Sequence, residues 1–250
     1  MSIRYLVVLF AVITSLPVMS QDDSFTADRP GATTGTGIVA KGRLQWETGV
    51  AYERDRTAEP AEHNYTLNTS LWRLGLSERI ELRVQTDVFL THRSQSDNTC
   101  WGSLGVGTKM RIFEGHGLLP TMALLGNVSV PCGKKYETAH RDFGFQLHAL
   151  FENTISKRWG LGYEVGLDRS DDGSGCSMFL GACLSFQAID RLGLFAEQYN
   201  SLDDDSSSWL ATGMSYQLAQ RLQLDASVDL NLNHPSRLFI ISFGVAWQIN

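Results

Sequence analysis

After its first twenty residues the chain has no apolar run long enough to cross a bilayer as a helix, which takes roughly 20 residues. That absence excludes a helical membrane protein. It leaves a barrel open, because in a barrel every second side chain dilutes the lipid-facing ones. Positive charge is also short: 21 Lys and Arg stand against 27 Asp and Glu, a net charge of −6. No basic patch exists to neutralise phosphates, so nucleic acid is excluded as a partner. Cysteine is sparse, with four residues, no Cys-x-x-Cys and no Cys/His cluster at ligand spacing. No metal site is expected from them, and no cofactor is implied.

What is present begins with an export signal. Arg4 supplies a positive start, residues 6–16 an apolar stretch, and Val18, Met19 and Ser20 a small-residue cleavage site before Gln21. A buried N-terminal helix is the alternative. No Cys follows the apolar stretch, which argues against a lipid anchor. Export permits disulfides. Cys100 and Cys132 lie equally far from His116 in the turn at residues 114–117, so a simple hairpin sets them opposite each other and a bridge between them is expected. Cys176 and Cys183 have opposite parity on one extended segment and are read as unpaired with each other.

The rest of the chain alternates. Phe239, Ile241, Phe243, Val245, Trp247 and Ile249 are separated by mostly small or polar residues. Ile80, Leu82, Val84, Thr86, Val88 and Leu90 oppose Glu81, Arg83, Gln85 and Asp87, and residues 143–152 and 222–232 repeat the rhythm. Successive side chains point to opposite faces of a strand, so each segment has one apolar and one polar face. A turn recurs as well. Residues 76–82, 155–161, 189–194 and 218–224 share a tight polar turn ending in Arg between apolar residues, and residues 113–118 form a fifth, glycine-rich turn. Longer polar loops are expected at residues 55–64, 92–99, 133–140, 170–175, 201–208 and 233–236. Five short and six long connections in alternation predict about twelve strands, with the short turns all at one end. A sandwich has no reason for that asymmetry, whereas outer-membrane barrels show it. The expected fold is all-β: a single transmembrane antiparallel up-and-down β-barrel of about 12 strands after a cleaved signal peptide. The divisions are residues 1–20 (signal), 21–40 (periplasmic segment and candidate partial plug) and 41–250 (barrel).

Thr26, Asp28, Arg29 and Pro30 are followed by Lys41, Gly42, Gln45, Glu47, Gly49 and Tyr52. The pattern Thr-x-Asp-Arg-Pro, then Lys-Gly-x-x-Gln-x-Glu-x-Gly and an aromatic, resembles the opening of the MetA-type phenol-degradation meta-pathway transporter family. That motif covers the first quarter of the mature chain, and strand rhythm carries the resemblance further. The resemblance implies an exported outer-membrane barrel that transports small solutes.

If the apolar faces meet lipid, the opposite faces line the bore. The lumen-lining candidates are Arg43, Glu47, Glu81, Arg83, Asp87, Lys109, Arg111, His148, Glu152, Glu164, Phe179, Phe195, Glu197, Asp225 and Asp229. Carboxylates dominate, which predicts a mild cation preference; pairing across strands that merely fills the interior is the other reading. His148 is read as a packed lumen residue. Trp72, Trp101, Tyr199 and Trp209 fall on the lumen parity too, with Trp101 and Trp209 read as interface aromatics beside loops. Interior Phe179 and Phe195 suit an apolar or aromatic solute. Asp28, Arg29 and Pro30 form either a small plug, Arg29 pairing with a lumen carboxylate, or a linker stiffened by Pro30.

These features point to an outer-membrane channel for passive passage of small solutes. Its expected partners are outer-membrane lipid and lipopolysaccharide, the barrel-assembly machinery and the solute. The alternative is a structural or surface-interaction barrel without a useful pore. An outer-membrane lipid hydrolase is weaker still. His234 and Ser236 have the spacing that outer-membrane phospholipases use, but Pro235 lies in an expected loop and Arg237 follows. No enzyme is expected.

Overall fold

The computed structural model describes residues 25–57, 62–93, 96–131, 142–170, 175–203, 206–235 and 237–249. Residues 1–20, read as the export signal, lie outside the described residues. The strands are β1 (Leu44–Asp55), β2 (Glu62–Gly75), β3 (Ile80–Arg93), β4 (Ser96–Trp101), β5 (Ser103–Phe113), β6 (Thr121–Pro131) and β7 (Gly144–Thr154). They continue with β8 (Trp159–Arg169), β9 (Cys176–Ile189), β10 (Leu192–Leu202), β11 (Ser207–Ala219), β12 (Leu222–Asn231) and β13 (Leu238–Ile249). Every pairing between them is antiparallel, and β13 returns to β1, with Leu44 opposite Ile249 and Asp55 opposite Leu238. The sheet therefore closes on itself, which removes the edges that lipid cannot satisfy.

β4 and β5 act as one barrel strand broken at Gly102. The tight-turn half of β3 pairs with β5 and its far half with β4, so the thirteen segments form twelve barrel strands. The expected loop at residues 92–99 is thereby corrected to the end of a hairpin: β3 runs to Arg93 and β4 starts at Ser96. The backbone ladder continues where the apolar alternation stops, and a sequence polar on both faces reads as loop.

The recurring turn has a structural cause. Ser77 Oγ accepts the amide of Arg79, and Ser156 Oγ accepts that of Arg158, a local bond that fixes a short reversal. The arginine then adds a rung to the neighbouring hairpin. The carbonyls of Arg79, Arg158, Arg191 and Arg221 accept the amides of Arg111, Gln187, Gln217 and Gln248.

The faces sort as a transmembrane barrel requires. Leu147, Leu167, Val106, Val128 and Phe243 are each about half exposed or more on the outer surface, an apolar area far beyond the scattered patches of a soluble monomer. Inside, buried polar and charged side chains outnumber buried apolar ones two to one among the described residues. Trp72, Trp46 and Trp247 lie in register on β2, β1 and β13, all facing outward near the tight turns, with Trp46 and Trp72 stacked at 5.4 Å. They form part of an interface girdle.

Candidate functional site: a charged bore and the segment threaded through it

Residues 25–40 run inside the barrel and touch its wall on most sides. Asp28 is the anchor. Its carboxylate lies 2.8 Å from Lys109 Nζ, 2.5 Å from Arg83 Nη1 and 3.4 Å from Arg73 Nη1. The wall supplies its own anions there: Arg73 bonds Glu47 at 2.7 Å and Glu81 at 2.9 Å, and Arg83 bonds Glu81 at 2.9 Å. Three wall cations face two wall carboxylates, and Asp28 supplies the third negative charge. Burial opposes ionisation of Asp28, but Arg73, Lys109 and Arg83 outweigh it and hold the carboxyl well below its ordinary value.

The two halves of the N-terminal motif meet here. Gln45 Nε2 donates to the Thr26 carbonyl, and the amides of Asp28 and Arg29 donate to Glu47. Arg29 reaches across to Asp225 at 3.1 Å, the Arg29–Pro30 peptide is cis, and Gln223 Nε2 donates to the Arg29 carbonyl. Gly49 and Gly244, opposite each other on β1 and β13, leave the slot in which the guanidinium lies. A Cβ on Gly244 would come within 2.2 Å of it.

The segment then circles the bore on carboxylates. Glu197 accepts the amides of Ala32 at 2.7 Å and Thr33 at 3.0 Å, and Glu164 accepts that of Thr34 at 2.6 Å. Glu152 accepts from Thr36 Oγ1, Lys109 donates to the Gly35 carbonyl, Arg73 to that of Gly37, and Glu81 accepts the Val39 amide. Carboxylates suit this task because an extended segment presents unpaired N–H groups, and charge-assisted bonds to them are among the stronger ones.

Two cavities flank the segment. One of about 420 Å³ opens on the tight-turn side against Gly160, Gly162, Ser185, Gly193 and Ser215, a wall of minimal side chains. The other, about 240 Å³, lies toward the long loops among Gln85, Leu125, Asn127, Gln146, Asp168 and Phe179. Aromatic rings line this outer half. His148 packs over Gly166 and stacks on Phe179 at 5.5 Å, Phe179 faces Tyr199 at 6.2 Å, and Tyr199 faces Trp209 at 6.0 Å.

Of the residues chosen from sequence, Glu47, Glu81, Arg83, Lys109, His148, Glu164, Glu197 and Asp225 are buried on the inner face. Asp229 accepts from Tyr199 Oη at 2.9 Å, and Phe195 lies over Gly213. Glu152 sits in the tight-turn cavity, Arg111 pairs with Glu114 beside a tight turn, and Asp87 lies on the inner parity of β3 toward the long loops. Arg43 immediately precedes β1, its amide bonded to the Ala40 carbonyl. The Cys100 side chain and Cys132 lie outside the described residues, as does Ser236; His234 sits in the β12–β13 turn, its carbonyl accepting two amides. Cys176 and Cys183 are both free thiols.

Two readings change. Trp72 faces lipid, and Arg73, absent from the sequence candidates, is fully buried at the hub of the ion cluster. A bulge at Thr66–Asn68 on β2 inverts the parity: Asn64 pairs with inward Glu53 above it, Arg73 with inward Gln45 below it. Trp209, read as an interface residue, lies on the inner parity against Tyr199.

The family described as "Putative MetA-pathway of phenol degradation" matches residues 27–249, nearly the whole described chain. The chain belongs to this family. Among solved structures, this family member is similar to the COG4313 outer membrane channel from Pseudomonas putida F1, with a TM-score of 0.66 at 10% identity over 85% of this chain and 97% of that one. It is also similar to the KdgM porin, with a TM-score of 0.57 at 8% identity over 82% and 99% of the two chains. The translocator domain of the autotransporter NalP from Neisseria meningitidis gives 0.50 at 12% identity over 83% and 88%. At these identities the likeness is one of fold. No curated protein sequence matches this MetA-family chain.

Proposed function

We propose that this MetA-family barrel is a channel in the bacterial outer membrane for passive passage of small solutes, with residues 25–40 as a partial plug. The observation that carries the reading is the pair of cavities, about 420 and 240 Å³, lying end to end in a charged bore and parted by a single extended segment. A barrel whose only task was structural could fill its interior with packed side chains; here glycine and serine keep one wall open. The excess of inward carboxylates favours cations over anions. Aromatic rings in the outer half favour a solute with an apolar or aromatic face, and the 240 Å³ chamber exceeds the roughly 150 Å³ that holds a benzene ring. Outer-membrane lipid and lipopolysaccharide surround the barrel in this reading, and the assembly machinery inserts it.

One observation favours a second reading, a barrel without a useful pore: the threaded segment occupies the bore at its middle. Liposome swelling with charged, neutral and aromatic solutes separates the two when run on the full chain and on a deletion of residues 24–37. A channel admits solutes in both, faster in the deletion. If neither protein admits any solute, the channel reading is wrong.

A further inference from the structure

Thr34 is the one described residue that lines both cavities, so it stands where the two adjoin. Its amide is tied to the wall by a single bond, 2.6 Å to Glu164. Glu164 is itself held in place: its other oxygen meets His148 Nδ1, His148 Nε2 lies 2.8 Å from Asp168, and the imidazole rests over Gly166 against Phe179. The carboxylate is thus fixed in position whether or not Thr34 is attached to it.

Charge at this crossing is one-sided. Glu164 and Asp168 line the outer chamber with Arg83, but Arg83 is already bound to Asp28 and Glu81. The amides of Ala32, Thr33 and Thr34 satisfy the carboxylates by hydrogen bonding without cancelling their charge. His148 pairs with both Glu164 and Asp168, so as an imidazolium it offsets one of these two charges and leaves the other. Glu164 borders the outer cavity beside Thr34, and a fixed carboxylate at a constriction in a low-dielectric wall sets ion preference more than one in a wide vestibule.

We propose that the Thr34–Glu164 contact is both the gate and the charge filter of the bore. When residues 32–35 lift from the wall the two chambers join, and the exposed Glu164 carboxylate selects small cationic solutes over anions. This inference rests on the channel reading and adds where passage is controlled and by which residue.

The test is the reversal potential and conductance of the full chain in planar bilayers under a potassium chloride gradient, with three variants. Glu164→Gln keeps an acceptor for the Thr34 amide but removes the charge. Its cation-to-anion permeability ratio should fall by about tenfold, the low end of the enrichment that one-sign clefts give. Thr34→Pro removes the donor but keeps the charge, so conductance should rise while cation preference persists. Thr34→Lys leaves the barrel wall untouched, so it reports even if Glu164→Gln fails to insert, and should abolish or reverse the preference. Unchanged selectivity in Glu164→Gln, or in Thr34→Lys where the former does not insert, overturns this inference alone. No current from the wild type or any variant overturns the channel reading and this inference with it.

Discussion

Replacing Asp28 with Asn should release the inner segment without unfolding the barrel. Asp28 balances a wall cluster in which, among the described residues, Arg73, Arg83 and Lys109 face the wall carboxylates Glu47 and Glu81. Removing one partner of a buried ion pair costs about 3–5 kcal/mol. The lower end applies here, because the substituted amide still offers a carbonyl oxygen and the cations keep their wall carboxylates. A loss of about 3 kcal/mol shifts the docked-to-released ratio on the order of a hundredfold. Amide hydrogen exchange reads that ratio directly, since the amides of Ala32, Thr33, Thr34 and Val39 are each held by a wall carboxylate and exchange on release. Their exchange should accelerate on the order of a hundredfold, while strand amides stay protected and single-channel current rises. Exchange at these four sites that matches the wild type, in a barrel with intact strands, would refute the idea that the ion cluster holds the segment.

Other outcomes follow from the same geometry. Gly244→Ala places a Cβ 2.2 Å from Arg29 Nε; the clash falls on the flexible end of a side chain, so thermal stability of the barrel should hold while exchange at Ala32 and Thr33 quickens. Trp72→Ala should leave conductance unchanged and cost about 0.5–1.5 kcal/mol of stacking with Trp46, measured as a lowered urea midpoint for unfolding from lipid vesicles. Acid should open the bore. The docked Asp28 carboxyl is held below its ordinary value of 3.8, so its contribution to docking is complete above that value and is lost as pH falls through and beneath it. Conductance at constant salt should therefore rise below about pH 4, and rise less in Asp28→Asn.

The barrel is legible in the sequence because its determinants are local. Alternation such as Ile80, Leu82 and Val84 against Glu81 and Arg83, and the Ser-x-Arg turns, span a few residues each, and a hairpin barrel needs little more. Parity alone puts Arg73 and Trp72 on the wrong faces, because one bulged residue in β2 inverts every later side chain and no local pattern marks it. The β3–β4 hairpin escapes the same reading because backbone pairing outlasts the apolar stripe that advertises it. The motif Thr26, Asp28, Arg29 and Pro30 is visible, but its partners are not: Asp225 lies 196 residues from Arg29 and Glu197 lies 165 from Ala32, and only closure of the ring brings them together.

Which face of each strand meets lipid decides the architecture, and spin labels along β7 in bilayers measure that directly. Labels placed singly at residues 145, 147, 149 and 151 should relax faster with lipid-soluble oxygen, and labels at 144, 146, 148 and 152 with a water-soluble nickel chelate, in strict alternation. Uniform shielding from both reagents at the odd positions would mean that the apolar faces are packed against protein, and would contradict the account.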